Sequence, residues 1–215
     1  TAASMFLAGI SMKLGGYGCL RVATYLMPEA AHAYSPYIIL LSAIAIIYGA
    51  FATMMQTDLK YINAYSSVSH CGFVLLGIGM MNETAITGAV MQMISHGFVS
   101  GAMFASIGVL YDRMHSRQIA DYGGVVNVMP WFAAFSILFA MANCGLPGTS
   151  GFVGEFMVIL AAFQDSPLIA FVAAFTLIIG AAYTLWLVKR VIFGDVGNDK
   201  VAKMKDLDAR EWIVL

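Results

Sequence analysis

Four ionisable residues, Lys13, His70, His96 and Glu155, stand near the middle of long apolar segments. A lipid-exposed charge at the bilayer centre costs on the order of 3 kcal/mol or more. Such residues therefore face a protein interior or a water-filled path, and a proton relay is one of the few tasks that needs several together. Lys13 lies in Ser11-Met12-Lys13-Leu14-Gly15-Gly16-Tyr17-Gly18, too far from either end of its segment to snorkel. A desolvated lysine can release and regain a proton near neutral pH; a structural ion pair with a carboxylate elsewhere is the competing reading. His70 follows Tyr65-Ser66-Ser67-Val68-Ser69, and His96 follows Gln92-Met93-Ile94-Ser95. Histidine's unperturbed pKa near 6.5 suits proton shuttling without a metal, whereas a lone core histidine is the plainer alternative for each. Glu155 follows Gly151-Phe152-Val153-Gly154. Burial favours the neutral carboxyl and a nearby ammonium the ionised one, so a buried lysine–glutamate system is switchable.

Other residues point to no chemistry. Cys19, Cys71 and Cys144 are isolated in apolar stretches, without the clustering that a metal or iron–sulfur site needs, and read as small buried hydrophobes. His32 and His115 fall in polar loops, and Asp112, Arg113 and Arg117 read as a wet loop. The glycines of Gly15-Gly16-Tyr17-Gly18 do not form a dinucleotide-binding GxGxxG after a strand. There is no basic patch for nucleic acid.

The elements that must carry these residues are membrane helices. The chain is 60% hydrophobic and 11% charged, with a mean hydropathy of +0.82. Soluble domains carry about 25% charged residues, so this chain is an integral membrane protein by composition. Segments of about 20 apolar residues cross a bilayer. They are expected at Ala2–Leu26, Tyr37–Gln56, Ile62–Met81, Ala85–Tyr111, Met129–Phe163 and Leu168–Val188, with Pro28 and Pro36 in the first link. The Met129–Phe163 segment is interrupted by Cys144-Gly145-Leu146-Pro147-Gly148-Thr149-Ser150-Gly151. If it crosses once, Lys60, Arg113, Arg117, Lys189, Arg190, Lys200, Lys203, Lys205 and Arg210 share one side and only Arg21 lies opposite; with two crossings the C-terminal cluster moves across and the asymmetry reverses weakly. The positive-inside rule favours one crossing, broken at Gly145–Gly151, with the basic side facing the cytoplasm or mitochondrial matrix. Unwound backbone at membrane depth survives only where protein or a wet cavity surrounds it, and discontinuous helices are a transporter device; a plain proline kink is the bland alternative. The expected fold is thus an all-α polytopic membrane domain over residues 1–215, with about six transmembrane helices. Thr1 opens inside an apolar segment and Trp212–Leu215 begins another, so the chain reads as a fragment of a longer protein.

Several runs together carry a family resemblance. They are Thr57-Asp58-Leu59-Lys60, Ala64-Tyr65-Ser66-Ser67-Val68-Ser69-His70, Gln92-Met93-Ile94-Ser95-His96-Gly97, Gly108-Val109-Leu110-Tyr111-Asp112-Arg113 and Leu146-Pro147-Gly148-Thr149-Ser150-Gly151-Phe152-Val153-Gly154-Glu155-Phe156. Through them the chain resembles, from Met5 to Gly194, the antiporter-like membrane subunits of proton-pumping NADH:quinone oxidoreductase, respiratory complex I. The resemblance implies roughly the eighth to thirteenth helices of a bundle of about fourteen, built as inverted repeats. Lys13 matches its eighth-helix lysine, His70 and His96 its relay histidines, and Glu155 the acidic residue of its broken twelfth helix. Glutamate at this last position, where related subunits carry lysine, favours the branch containing chain M, subunit 4 in mitochondria. The resemblance also implies a non-redox, proton-translocating subunit that binds no cofactor itself. NADH, FMN, iron–sulfur clusters and quinone would be bound by partner subunits in the bacterial cytoplasmic or mitochondrial inner membrane. A multi-chain sodium/proton antiporter or a membrane-bound hydrogenase subunit is the alternative within the same fold. A purely structural role leaves the four buried ionisable groups without a task.

Overall fold

Polar side chains make some of the closest helix contacts. In the computed structural model, which describes residues 2–215, α4 (Leu59–Gly79) packs between α3 (Pro28–Met54) and α5 (Glu83–Met114). Ser69 Oγ donates to the Ile46 carbonyl of α3 at 3.0 Å, while Ser66 and Ser67 donate to the Asn63 carbonyl within α4. These bonds satisfy hydroxyls that apolar packing would strand. Asp58 caps α4 by accepting the Lys60 and Tyr61 backbone hydrogens, and Asn82 caps α5 by accepting that of Ala85. Only residues 80–82 join the two helices, which makes them antiparallel neighbours.

The chain continues through α6 (Pro130–Asn143), α7 (Ser150–Asp165) and α8 (Pro167–Val191) to two short helices, α9 (Asp199–Ala202) and α10 (Ala209–Val214). At its start, α1 (Ala2–Phe6) and α2 (Met12–Gly18) alternate with π-helical segments at Leu7–Ser11 and Cys19–Thr24. No strand is formed among the described residues, so the fold is all-α and polytopic. Three helices, α3, α5 and α8, are each long and apolar enough to cross a membrane. Many large apolar side chains, among them Phe98, Tyr25 and Ile213, face outward, as a lipid-embedded protein requires.

Several details depart from the sequence reading. Residues 28–36 are helix, not link: Pro28 takes the first helical position, where its missing donor is no loss. Pro36 sits inside α3, and the neighbouring Ser35 hydroxyl ties this end to the Gly79 carbonyl of α4. His32 is accordingly helical, though exposed. Cys19 is exposed and Cys71 and Cys144 are half-buried, and all three thiols are free.

The arginines read as a wet loop are structural. Arg117 pairs with Asp58 at 3.3 Å, and the Leu59 N–H bonds to the Arg117 carbonyl, which fastens the start of α4 to the segment after α5. Arg113 closes a larger clamp. Its guanidinium reaches both carboxylate oxygens of Glu211, at 2.8 and 2.6 Å, and the Lys205 and Asp206 carbonyls. Asp206 in turn accepts the Trp131 and Phe132 backbone hydrogens at the start of α6, where an acceptor meets unpaired N–H groups. The C-terminal segment thus ties the end of α5 to the start of α6. Backbone bonds from Gly124 and Val126 to Phe193 and Ile192 bring the end of α8 to the same place.

This clamp is pH-dependent. The Arg113 guanidinium holds the Glu211 carboxyl below its ordinary range, helped by the Asp208 backbone N–H. A depressed carboxylate contributes stability above its unfolded value near 4.3, which is lost as pH falls through the folded value. Arg113→Ala should destabilise the protein by about 1 kcal/mol at neutral pH, allowing for partial exposure. In thermal unfolding, the gap between variant and parent should narrow as pH falls below about 4, leaving the part due to the carbonyl bonds; a gap unchanged from pH 7 to 3 would rule out the ion pair as a source.

Candidate functional site

Glu155 sits in the second turn of α7, just past the break, and is 2% exposed. Its Oε1 lies 2.6 Å from His70 Nδ1 of α4 and accepts from Gln92 Nε2 of α5 at 2.7 Å. An ionised carboxylate only accepts, so in that state Nδ1 of His70 carries the hydrogen. The His70 and His96 rings are 4.9 Å apart between centroids and tilted by 34°. Three helices therefore each contribute a side chain to one buried contact. The His70–Glu155 pair was not anticipated: the sequence offers no clue to which face α7 turns toward α4.

The break makes this possible. α6 ends at Asn143 and α7 begins at Ser150, so the non-helical link is 144–149, close to the expected limits. Gly145 adopts φ +69°, which L side chains rarely take. A Cβ there would lie 2.9 Å from Glu155 Oε2, so the bare backbone gives the carboxylate room. On the other side, His70, Gln92, Ser95, His96, Asn143 and Glu155 line a cavity of about 10 Å³, close to the volume that holds one water. Both ring nitrogens of His96, Nε2 of His70 and Oδ1 of Asn143 are buried there without a hydrogen-bond partner within the protein.

Lys13 stands apart from this contact. Its ammonium turns back along its own helix and donates to the Ala8 carbonyl in the π-helical segment. It lines a groove of about 840 Å³ between the first helix and α5, together with Met93, Gly97 and Phe98. His96 and Cys71 are within its electrostatic reach. The structure thus joins His70, His96 and Glu155 and leaves Lys13 outside their contact. Gln92 and Asn143 are the site residues that sequence reasoning missed. For Gln92 a signal existed: it precedes His96 by four residues, hence on the same helix face. Among the described residues, no three His, Cys, Asp or Glu side chains are grouped to hold a metal.

Residues 1–180 match the family described as NADH:quinone oxidoreductase/Mrp antiporter, TM. The chain is 47% identical over 211 residues to NADH-quinone oxidoreductase subunit M of Rhodobacter capsulatus, covering 98% of this chain and 41% of the relative. It is 48% identical over 214 residues to NADH-ubiquinone oxidoreductase chain 4 of Arabidopsis thaliana, covering 100% of this chain and 43% of the relative. Among solved structures, respiratory complex I from Thermus thermophilus with bound NADH contains a chain that superposes with a TM-score of 0.88 at 32% identity, over 93% of this chain and 42% of that one. The chain therefore spans about two fifths of the length of the relatives it matches.

Gly145 and Glu155 should be energetically coupled. Gly145→Ala is expected to destabilise by about 1–2 kcal/mol from backbone strain, plus crowding of Oε2. In a double-mutant cycle with Glu155→Ala, the two losses should sum to more than the double variant loses, by at least about 0.5 kcal/mol. Additive losses in thermal or denaturant unfolding would mean that Gly145 does not shape the carboxylate's surroundings.

Proposed function

Because the chain belongs to the NADH:quinone oxidoreductase/Mrp antiporter transmembrane family, we propose that it is the proton-translocating part of an antiporter-like subunit of respiratory complex I. Subunit M, the chain 4 of mitochondria, is the relative whose role this reading assigns to it. The observation that carries the reading is the buried His70–Glu155 contact of 2.6 Å with the His96 ring tilted against His70. A proton moving from Nδ1 to Oε1 along that contact neutralises both partners at once. That transfer changes the field at His96, whose free nitrogens can pass a proton onward. His96 is within electrostatic reach of both Lys13 and His70, which supports the order Lys13, His96, His70, Glu155 from the lateral groove to the broken helix. In low dielectric, each transfer shifts its neighbour's preference for a proton, and no redox group is needed within the chain. The electrons, with the NADH, FMN, iron–sulfur clusters and quinone that carry them, belong to partner subunits in this reading, and other membrane subunits of the complex flank the bundle.

We further propose six crossings. α4 is 21 residues long, about 30 Å at 1.5 Å per residue, and falls short of the membrane-length helices only in hydropathy because its inner face is polar. The first helical run supplies another crossing, and α6 with α7 act as a single broken one. The bonds gathering the start of α4, the end of α5, the start of α6 and the end of α8 at one end of the bundle support this reading. The basic loops then share the cytoplasmic or matrix side.

Two experiments test these proposals in the full-length subunit within its complex. Single cysteines replacing Lys60 and Lys203 should react with an impermeant thiol reagent from the same side; labelling from opposite sides would exclude the single broken crossing. In membrane vesicles, Lys13→Ala and Glu155→Gln should each cut NADH-driven proton uptake roughly tenfold or more without loss of assembly. Lys13→Arg should be equally defective, since arginine keeps its proton. Wild-type uptake in assembled Lys13→Ala or Glu155→Gln complexes would remove that residue from the relay.

A further inference from the structure

Gln92 is 1% exposed and holds the same carboxylate oxygen as His70. Its placement is enforced by the backbone. Gly154, next to Glu155 in sequence, lies so close to α5 that a Cβ there would sit 2.7 Å from the Gln92 nitrogen and 2.8 Å from its Cα. α5 and α7 thus touch main chain to main chain at this level, which fixes the amide against the carboxylate. Its Nε2 is 3.5 Å from His70 Nδ1, at the outer limit of hydrogen bonding, so Glu155 Oε1 takes the amide hydrogen.

An amide neither gains nor loses a proton in this pH range, so Gln92 cannot be a step in a proton path. What it can do is favour one state of its neighbour, because a donor aimed at a carboxylate stabilises the ionised form. A proton placed between His70 Nδ1 and Glu155 Oε1, 2.6 Å apart, can sit on either atom. On Nδ1 the pair is imidazolium and carboxylate; on Oε1 it is neutral imidazole and carboxylic acid. We propose that Gln92 is a positioning residue that keeps this proton on His70 by holding Glu155 Oε1 as an ionised acceptor. This deepens the relay reading above and rests on it. It gives the pair a resting state: His70 charged, with its free Nε2 turned to the cavity shared with His96. The Nδ1 proton can move to Glu155 only when the surrounding field overcomes the amide's bias.

Other titratable groups also act on Glu155. His70 and His96 face it from α4 and α5, Cys144 lies in the link and Tyr183 on α8, and Lys13 acts on His96. The test must therefore change the amide alone. Gln92→Met keeps the length and volume and removes the donor. In vesicles holding the assembled complex, the acidic limb of the pH profile of NADH-driven proton uptake should move to higher pH by about one unit. Uptake should fall most toward the acidic end of the profile. Without the donor, more alkaline conditions are needed to keep Glu155 ionised, which sets the sign. Infrared difference spectra should show a protonated-carboxyl band at neutral pH in Gln92→Met that Glu155→Gln abolishes. If Gln92→Met fails to assemble, Gln92→Asn, which withdraws the amide by one methylene, carries the same readouts. A rate lowered equally at every pH, or an unshifted limb, would overturn the proposal and leave Gln92 as packing. Wild-type uptake in Glu155→Gln would instead overturn the relay reading itself.

Discussion

A carboxylate buried inside a membrane protein has no bulk water to fall back on, and Glu155 imposes that demand on the whole bundle. Its two nearest polar partners come from different helices, His70 from α4 and Gln92 from α5. Three helices must therefore meet at one level with ångström tolerance. The small and hydroxylated residues at these contacts follow from this. Serines bond to backbone carbonyls within α4 and across to α3, and Gly154 lets α7 press against α5. Apolar bulk alone would pack such helices but would not fix their register, because it has no preferred partner. Here the polar contacts specify which turn faces which.

The break between α6 and α7 serves the same contact from the other side. A continuous helix would put a side chain where Gly145 leaves room for Glu155. The two half-helices are nevertheless held at their far ends: α6 starts on the Asp206 carboxylate, and α7 packs along α5 and against α8. The disorder that unwound backbone invites is thus confined to a short link. Within the bundle this link is a shaped wall of the site.

Much of this was legible in the residues, and the reason lies in cost. Ionisable groups in apolar segments are so unfavourable that Lys13, His70, His96 and Glu155 announce themselves, and the Pro147 and glycine cluster marks the break in the same way. What could not be read was relative rotation and depth. Nothing in a linear pattern says that Glu155 turns toward His70, that Lys13 points back to Ala8, or that Gln92 closes the contact. Arg113 was opaque for a related reason. A charged residue near a helix end reads as solvated, and its true partners, Glu211 and the Lys205 and Asp206 carbonyls, are more than ninety positions away. The extension of α3 to Pro28 was hidden because one proline starts a helix as readily as it ends one, and only packing against α4 decides between the two.

The polar inner face of α4 also bears on how the protein is made. Asn63, three serines and His70 lie on a helix of 21 residues, and each such side chain weakens its partition from the translocation channel into lipid. Alone, α4 is a poor candidate for release into the bilayer. Its link to α5 is three residues long, and α5 is long and apolar. The two are therefore suited to leave the channel as a hairpin, with the histidines already facing each other across the pair. Membrane integration and construction of the buried polar contact would then be one event during synthesis.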